Sequence, residues 1–383
     1  MSPEVTVLLA VHDGADYVGA AIDSVLAQTF TDFELLIIDD ASTDETVDVV
    51  RAYDDGRIRL LRNERNLGQV ASLNRGLHEA RGAVVARLDH DDVSSPDRLE
   101  RQLDVLRAEP RVGLVGTWAE LVDGDERTIG VVDGRIATRV DFVYWTLLQY
   151  VLIPHPSAAY RRDAALAVGG YDETLGPAED KDLWRKLLLA GWDARVVEEP
   201  LVRYRVHEAQ LSQTRSELQR HNDDRSQDAL LEQLAPGAPV ELLRMLLAGD
   251  AFMWRHLRRG DDLPRALDVL LAGARARFAL DDREADELRD RVALRVAEVT
   301  RSGWRARGRG WHRAAPGLLD WAGHRPRAFR AVHLLAPILR PVGRMLAFTT
   351  AALAHAPGLG AVRARLRRSQ ALRRAYAYVT RRR

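Results

Sequence analysis

The chain has 383 residues, 56 Lys plus Arg against 56 Asp plus Glu, 46% hydrophobic residues and no Cys. Without Cys it has no disulfides, no thiolate zinc site and no Cys nucleophile. The balanced charge hides a split: residues 301–383 hold 19 arginines and one acid, Asp320, so the first 300 residues are acidic by the same margin.

Residues 5–10 are an apolar run of strand length, and residues 15–26 set Val18, Ile22, Val25 and Leu26 on one helical face. Residues 34–38 read as a second buried strand. Asp39, Asp40 and Ser42-Thr43-Asp44-Glu45 follow, the last four a Ser-x-x-Glu capping box that predicts a helix. Residues 58–61 predict a third strand, and 68–80 a helix with Val70, Leu73, Asn74 and Leu77 at 3.6 spacing. A fourth strand over 83–88 runs into Asp89-His90-Asp91-Asp92, after which Pro96 opens a helix carrying Leu99, Leu103 and Leu106. This order predicts a mostly parallel sheet with helices on both faces, which binds ligands outside the carboxyl ends of its strands. The acids at 39–40 and 89–92 then converge on one rim. Over 117–205 the pattern is less regular, with a hairpin turn at Val122-Asp123-Gly124-Asp125 and a helix at 178–189. Beyond about residue 216 the alternation stops, and amphipathic helices are expected at 240–257 and 283–299.

Three carboxylates within four residues at a strand end repel one another unless neutralised. A solvated loop capping the next helix is the simpler reading; the strand context favours a hard divalent cation, Mn2+ or Mg2+, which prefers carboxylate oxygens and keeps positions open for phosphate. A second acidic pair, Glu179-Asp180, opens the helix at 178–189. The helix macrodipole favours acids there, and a carboxylate at a helix start is placed to take a proton from a hydroxyl.

These residues carry a resemblance. Residues 5–13 with Ala20-Ala21-Ile22-Asp23-Ser24-Val25-Leu26-Ala27-Gln28-Thr29, then Ile37-Ile38-Asp39-Asp40-Ala41-Ser42-Thr43-Asp44, resemble the opening of the family 2 glycosyltransferases. Asn66-Leu67-Gly68 with Leu73-Asn74-Arg75-Gly76-Leu77, Leu88-Asp89-His90-Asp91-Asp92 with Pro96-Asp97-Arg98-Leu99, His155-Pro156-Ser157, Gly169-Gly170-Tyr171-Asp172 and Glu179-Asp180 continue it in the family's order. The resemblance covers roughly residues 4–213. It implies a GT-A type domain, a Rossmann-like mostly parallel sheet sandwiched by helices, and a metal-dependent, hexosyltransferase-type enzyme. Such an enzyme moves a sugar from a nucleotide diphosphate donor to an acceptor hydroxyl with inversion.

Carried over position by position, Ala10, His12, Asp13, Asp39, Asp40, Asn66, Gly68, Asp89, His90 and Asp91 would line the donor site, with Asp39 and Asp40 at the base and ribose. Asp91, Asp92 and His207 would hold the metal, and Asp180 would be the general base with Glu179 beside it. The family usually has Pro in place of Ala10 and often Tyr-Asn in place of His12-Asp13. Where some members carry an Arg in the helix after Asn66, this chain has Leu73.

The length predicts more than one module: a GT-A catalytic domain over 1–215, a helical accessory region over 216–300 and an Arg-rich helical tail over 301–383. The first 50 residues lack Lys and Arg, so the basic n-region of a secretory signal is missing and a cytoplasmic location is expected. Residues 345–362 carry no formal charge but include Thr349, Thr350, His355, Pro357 and Gly358, and fall short of the roughly 20 apolar residues of a span. Arg clusters beside that segment, with Tyr376 and Tyr378, suit peripheral contact with an anionic membrane, at about 1 kcal/mol per base. No groove-reading or stacking motif points to nucleic acid. The expected partners are a nucleotide-sugar donor and a saccharide or lipid-linked acceptor in bacterial polysaccharide or glycoconjugate biosynthesis. The competing readings are a non-catalytic nucleotide-sugar-binding assembly protein and a nucleotidyltransferase. The latter calls for a Gly-rich phosphate loop that does not follow the first strand.

Overall fold

The computed structural model describes residues 2–150, 153–206, 216–250, 262–302 and 309–323. Its strands are β1 (Val5–Val11), β2 (Phe33–Asp39), β3 (Ile58–Arg62), β4 (Val84–Arg87), β5 (Val93–Ser94), β6 (Val112–Val122), β7 (Thr128–Val132), β8 (Ala159–Arg161) and β9 (Asp193–Arg205). They form one sheet in the order β3-β2-β1-β4-β8-β6-β9-β5, with β7 hairpinned onto β6. β1, β2, β3 and β4 are mutually parallel, as the β-α alternation predicts. β8 enters antiparallel between β4 and β6, while β6 and β9 run parallel.

Helices α1 (Ala15–Leu26), α2 (Thr46–Arg51), α3 (Gln69–Glu79), α4 (Arg98–Ala108), α5 (Arg139–Leu147), α6 (Arg162–Ala167) and α7 (Glu179–Leu189) flank the sheet. β1 and β2 are buried at every position, the continuous apolar run of a strand covered on both faces. Period-two alternation divides them between two cores. Val7, Leu9, Leu35 and Ile37 pack with Val18 and Ile22 of α1 and Leu99 and Leu103 of α4. Leu8, Leu36 and Ile38 face Leu73 and Leu77 of α3, and this second core continues through Val143 of α5 and Leu183 of α7. It then extends without a break into α8 (Ser216–Leu234), α9 (Val240–Ala248), α10 (Leu263–Arg277), α11 (Asp282–Ser302) and α12 (Arg309–Gly323), by way of Leu230, Leu243, Leu267, Val292 and Leu318.

The motif residues around α1 and α4 turn out to be docking devices. Gln28 Nε2 donates to Ser95 O at 2.6 Å and its Oε1 accepts from Leu99 N at 3.0 Å, so the end of α1 caps the start of α4. Arg98, fully buried, donates to the carbonyls of Arg87 (2.6 Å) and Ala158 (3.3 Å); Gln102 donates to those of Val115 and Ser157. Carbonyls buried where β4, β6 and β8 meet need donors, which explains two long polar side chains on the face that also carries Leu99, Leu103 and Leu106.

The expected capping box does not form. The Ser42 hydroxyl accepts from the Asp13 amide of the neighbouring loop, Glu45 makes no side-chain cap, and α2 begins at Thr46, whose amide donates to Asp44 at 3.0 Å. The predicted helix at 240–257 stops at Ala248, where Gly249 takes a left-handed conformation (φ +87°) that ends helices readily; residues 251–257 lie outside the described residues. Among the described residues no helix is long and apolar enough to cross a membrane. The uncharged segment at 345–362 lies outside them.

Candidate active site

Because β1, β2 and β4 are parallel, their following loops open on one edge of the sheet. The loops after β1 and β2 are stitched together. Asp13, held at φ +50°, accepts from Thr43 N at 2.7 Å; its own amide donates to the Ser42 hydroxyl at 3.0 Å, and Ala15 N donates to Asp44 at 3.0 Å. The Thr43 amide holds the Asp13 carboxyl below its ordinary range. His12 lies beside it, 3.5 Å from the carboxylate, and both side chains are open to solvent. Ala10 is buried at the end of β1.

Asp39 and Asp40 are both buried. Asp39 pairs with Arg62 at 3.0 Å and accepts from Ser42 N. Asp40 accepts from Asn63 Nδ2 (2.6 Å) and from the amides of Leu67 (2.9 Å) and Gly68 (2.8 Å). Gly68, at φ +91°, opens α3 and also donates to Asn66 Oδ1. Asp40 thus acts on the rim through the 66–68 loop that it holds, with both oxygens engaged inside.

The loop after β4 is pinned from two sides. Arg205, at the end of β9, donates its amide to Asp92 Oδ1 at 2.8 Å and its Nε to Asp91 O at 3.1 Å, while its guanidinium lies 5.0 Å above the Tyr17 ring of α1. His90 packs against Gly14, where a Cβ would come within 2.4 Å of its ring. Asp92 Oδ2 is buried without a partner, and its carboxyl is pushed well above the ordinary range by burial and then by Asp89 and Asp91. Asp89 is paired with Arg87, whose side chain is completely buried. His207 lies outside the described residues.

The second acidic pair meets the first at α7. Glu179 is buried with Oε2 unpartnered, within electrostatic reach of Arg87 and Asp89. Burial, then Asp180, pushes its carboxyl up to about 8 from an ordinary 4.5. The unfolded chain releases that proton near 4.5, so across the window from 4.5 to about 8 the native state holds the extra proton and stability falls as pH rises. Glu179→Gln removes this penalty. Its melting temperature should exceed that of the wild type at pH 8 and match it at pH 5; an equal gain at both pH values would exclude the assignment. Asp180 is half-buried, and among the described residues its carboxylate receives one hydrogen bond, from Lys181 N at 2.7 Å.

The pattern of glycosyl transferase family 2 matches residues 6–165. EpsE of Bacillus subtilis, named as a glycosyltransferase, is 31% identical over 208 residues, 53% of this chain and 73% of EpsE. The chain belongs to the family 2 glycosyltransferases. An uncharacterized glycosyltransferase of Rickettsia typhi is 31% identical over 221 residues, 56% of this chain and 67% of that one. The succinoglycan biosynthesis protein ExoO of Rhizobium meliloti is 41% identical over 102 residues, 27% of this chain and 29% of ExoO. Residues 1–349 of S. aureus TarS, solved with UDP-GlcNAc, share the fold: TM-score 0.52 at 16% identity, over 78% of this chain and 90% of that one. The architecture is therefore the GT-A type α/β fold with a helical C-terminal region, and glycosyl transfer is the enzyme's activity.

The structure gives partners to three features of this glycosyltransferase that the motifs alone left unassigned. Arg87 is the one charged residue of the strand over 83–88, and its buried guanidinium pairs with Asp89 within electrostatic reach of Tyr160 and Tyr171. An Arg two residues before a strand-end acid is the signal that marks it. Tyr171 bonds both Tyr160 (2.9 Å) and His155 Nε2 (3.0 Å) through its hydroxyl. Burial and then Arg87 drive the His155 ring down to about 3, so it serves as a neutral hydrogen-bonding partner. Asn74, read as a position on the apolar stripe of α3, instead pairs both ways with the backbone of Tyr171 at 2.9 Å and so fixes the turn before α7.

Proposed function

We propose that the enzyme is a metal-dependent inverting hexosyltransferase. It moves a sugar from a nucleoside diphosphate donor to a hydroxyl of a saccharide or lipid-linked acceptor, in the assembly of a bacterial polysaccharide or glycoconjugate. The observation that carries this reading is the pairing of two acid clusters on one rim. The 89–92 loop gathers three carboxylates, one of them with a buried oxygen that accepts no hydrogen bond, and Asp180 stands half-buried at the start of α7. The likeness to ExoO, a protein of succinoglycan biosynthesis, supports the polysaccharide setting.

The loop fits a hard divalent cation, Mn2+ or Mg2+. Such an ion can be held by one or two carboxylates and completed by substrate phosphate. Asp91 and Asp92, with His207, are the residues that would hold it, and its chemistry would be Lewis-acid stabilisation of the leaving diphosphate. Asp89, His90 and the stitched loops carrying His12, Asp13, Asn66 and Gly68 line the donor side, above the framework of Ala10, Asp39 and Asp40. Asp180 takes the proton of the acceptor hydroxyl as that oxygen attacks the anomeric carbon opposite the departing diphosphate, and attack from that face inverts the centre. Glu179, largely protonated at neutral pH, presents no negative charge to compete with Asp180 for a cation. The division at 215 and at 300, and the peripheral contact of the Arg-rich tail with an anionic membrane face, belong to the same proposal.

The test is slow hydrolysis of UDP-, GDP- and dTDP-sugars by the full chain, with water as acceptor. One nucleotide class should be turned over in the presence of Mn2+, and EDTA should abolish turnover. Hydrolysis unchanged by EDTA would remove the metal from the proposal, and hydrolysis of triphosphates alone would favour a nucleotidyltransferase.

A further inference from the structure

Helix α8 lies beyond the residues matched by the family pattern, and its buried stripe changes character along its length. Up to Gln227 it buries Asn222, Asp223, Ser226 and Gln227; from there on it buries Leu230, Leu231 and Leu234. This spacing is one face of a helix. Polar groups withdrawn from water destabilise unless they find partners, and each of these finds one around α7. Asn222 Nδ2 donates to Gly176 O at 2.9 Å, and the Ser226 hydroxyl donates to Asp182 at 2.7 Å. Gln227 donates to the Thr146 and Leu147 carbonyls at the end of α5 and accepts from Arg185 Nε at 2.9 Å. Asp223 accepts from Lys181 Nζ at 2.6 Å with one oxygen and pairs with Arg185 through the other.

The placement of lysine adds a second observation. Of the 56 basic residues all but Lys181 and Lys186 are Arg, and both lysines sit on α7. Each is paired with a carboxylate, Lys181 with Asp223 and Lys186 with Asp182. An ammonium is a compact point charge that one carboxylate can hold, whereas a guanidinium fork spans two acceptors. Asp180 is the immediate neighbour of Lys181.

We propose that Asp223 is a positioning residue for the transfer reaction: it holds Lys181 and Arg185 on the α8 side and so keeps both cations off the Asp180 carboxylate. The idea rests on Asp180 as the proton acceptor. The charged groups that face Asp180 among the described residues are Glu179, Lys181 and Arg185 of α7 and Asp223 of α8. Burial raises the Asp180 carboxyl above its ordinary range, Lys181 and Arg185 lower it, and Asp223 raises it. A Lys181 released from Asp223 would turn to Asp180, lower its proton affinity and weaken it as a base.

The test is a 13C NMR titration of the full chain labelled at the aspartate carboxyls, with the Asp180 signal identified by its loss in D180N. In D223N the Asp180 midpoint should fall by about one pH unit. In K181M/D223N, which lacks the released ammonium, it should return toward the wild-type value. D223E, which keeps the charge, should hold the wild-type midpoint, and this arm decides if D223N does not fold. A wild-type midpoint in folded D223N, or a D223E midpoint displaced downward, overturns the proposal. The base assignment fails separately: D180N that still hydrolyses nucleotide sugars sinks it without changing any midpoint in the titration.

Discussion

Asp180→Asn is expected to bind nucleoside diphosphates as the wild type does and to lose transfer by about 10³-fold, within the range a positioned general base contributes. The amide is isosteric, and its oxygen still accepts from Lys181 N, the bond that orients the carboxylate in the wild type. The loss would therefore report the missing proton acceptor alone. Hydrolysis of the best nucleotide sugar measures the rate, and calorimetry with UDP or GDP measures binding. Near wild-type turnover would move the base elsewhere, with Glu179 the neighbouring carboxyl to test. That outcome would also run against the difference in exposure between the two sites, since Glu179 is buried and pushed up to about 8 while Asp180, though also raised by burial, is only half-buried.

Asp91→Ala is the second large effect. The backbone anchors of the loop survive the change, because Arg205 holds it through the Asp91 carbonyl and the Asp92 side chain. The loss should then fall on cation binding. The increase in UDP or GDP affinity that Mn2+ brings should shrink by at least about 10-fold, while the affinity without Mn2+ should rise slightly, since one charge repelling the diphosphate is gone. An unchanged Mn2+ effect would place the cation away from this loop. Asp92 gives an independent check. Its carboxyl is raised by burial, Asp89 and Asp91, so removing Asp91 should lower its protonation midpoint toward the ordinary range.

Much of the parallel half of the fold was legible because local and global signals agree there. β1 and β2 are apolar runs buried on both faces, α1 and α3 carry stripes at helical spacing, and the acids sit where the strands stop. The second half was harder for a physical reason. β8 is three residues long and β9 thirteen, and whether such a segment pairs parallel or antiparallel depends on neighbours far away in the chain. Helix α8 escaped because half of its buried face is polar, and a search for an apolar stripe passes over Asn222, Asp223, Ser226 and Gln227. The Ser42 capping box misled for a related reason: the pattern was present, but the Ser42 hydroxyl already accepts from the Asp13 amide in the loop after β1.

The sequence by itself determined the family, the fold class, the edge of the sheet on which the strand-end acids gather and the two acid clusters, because each is written in a local run of residues with its own periodicity or charge. Only the tertiary structure decided how the acids differ. Asp40 is occupied by Asn63 and the 67–68 amides, Asp92 is left with an orphaned oxygen, and Glu179 is buried while its neighbour Asp180 stays half-open. Carboxylates identical in sequence acquire different proton affinities and different tasks from the donors and the depth of burial that folding supplies, and those come from residues 20 to more than 100 positions away.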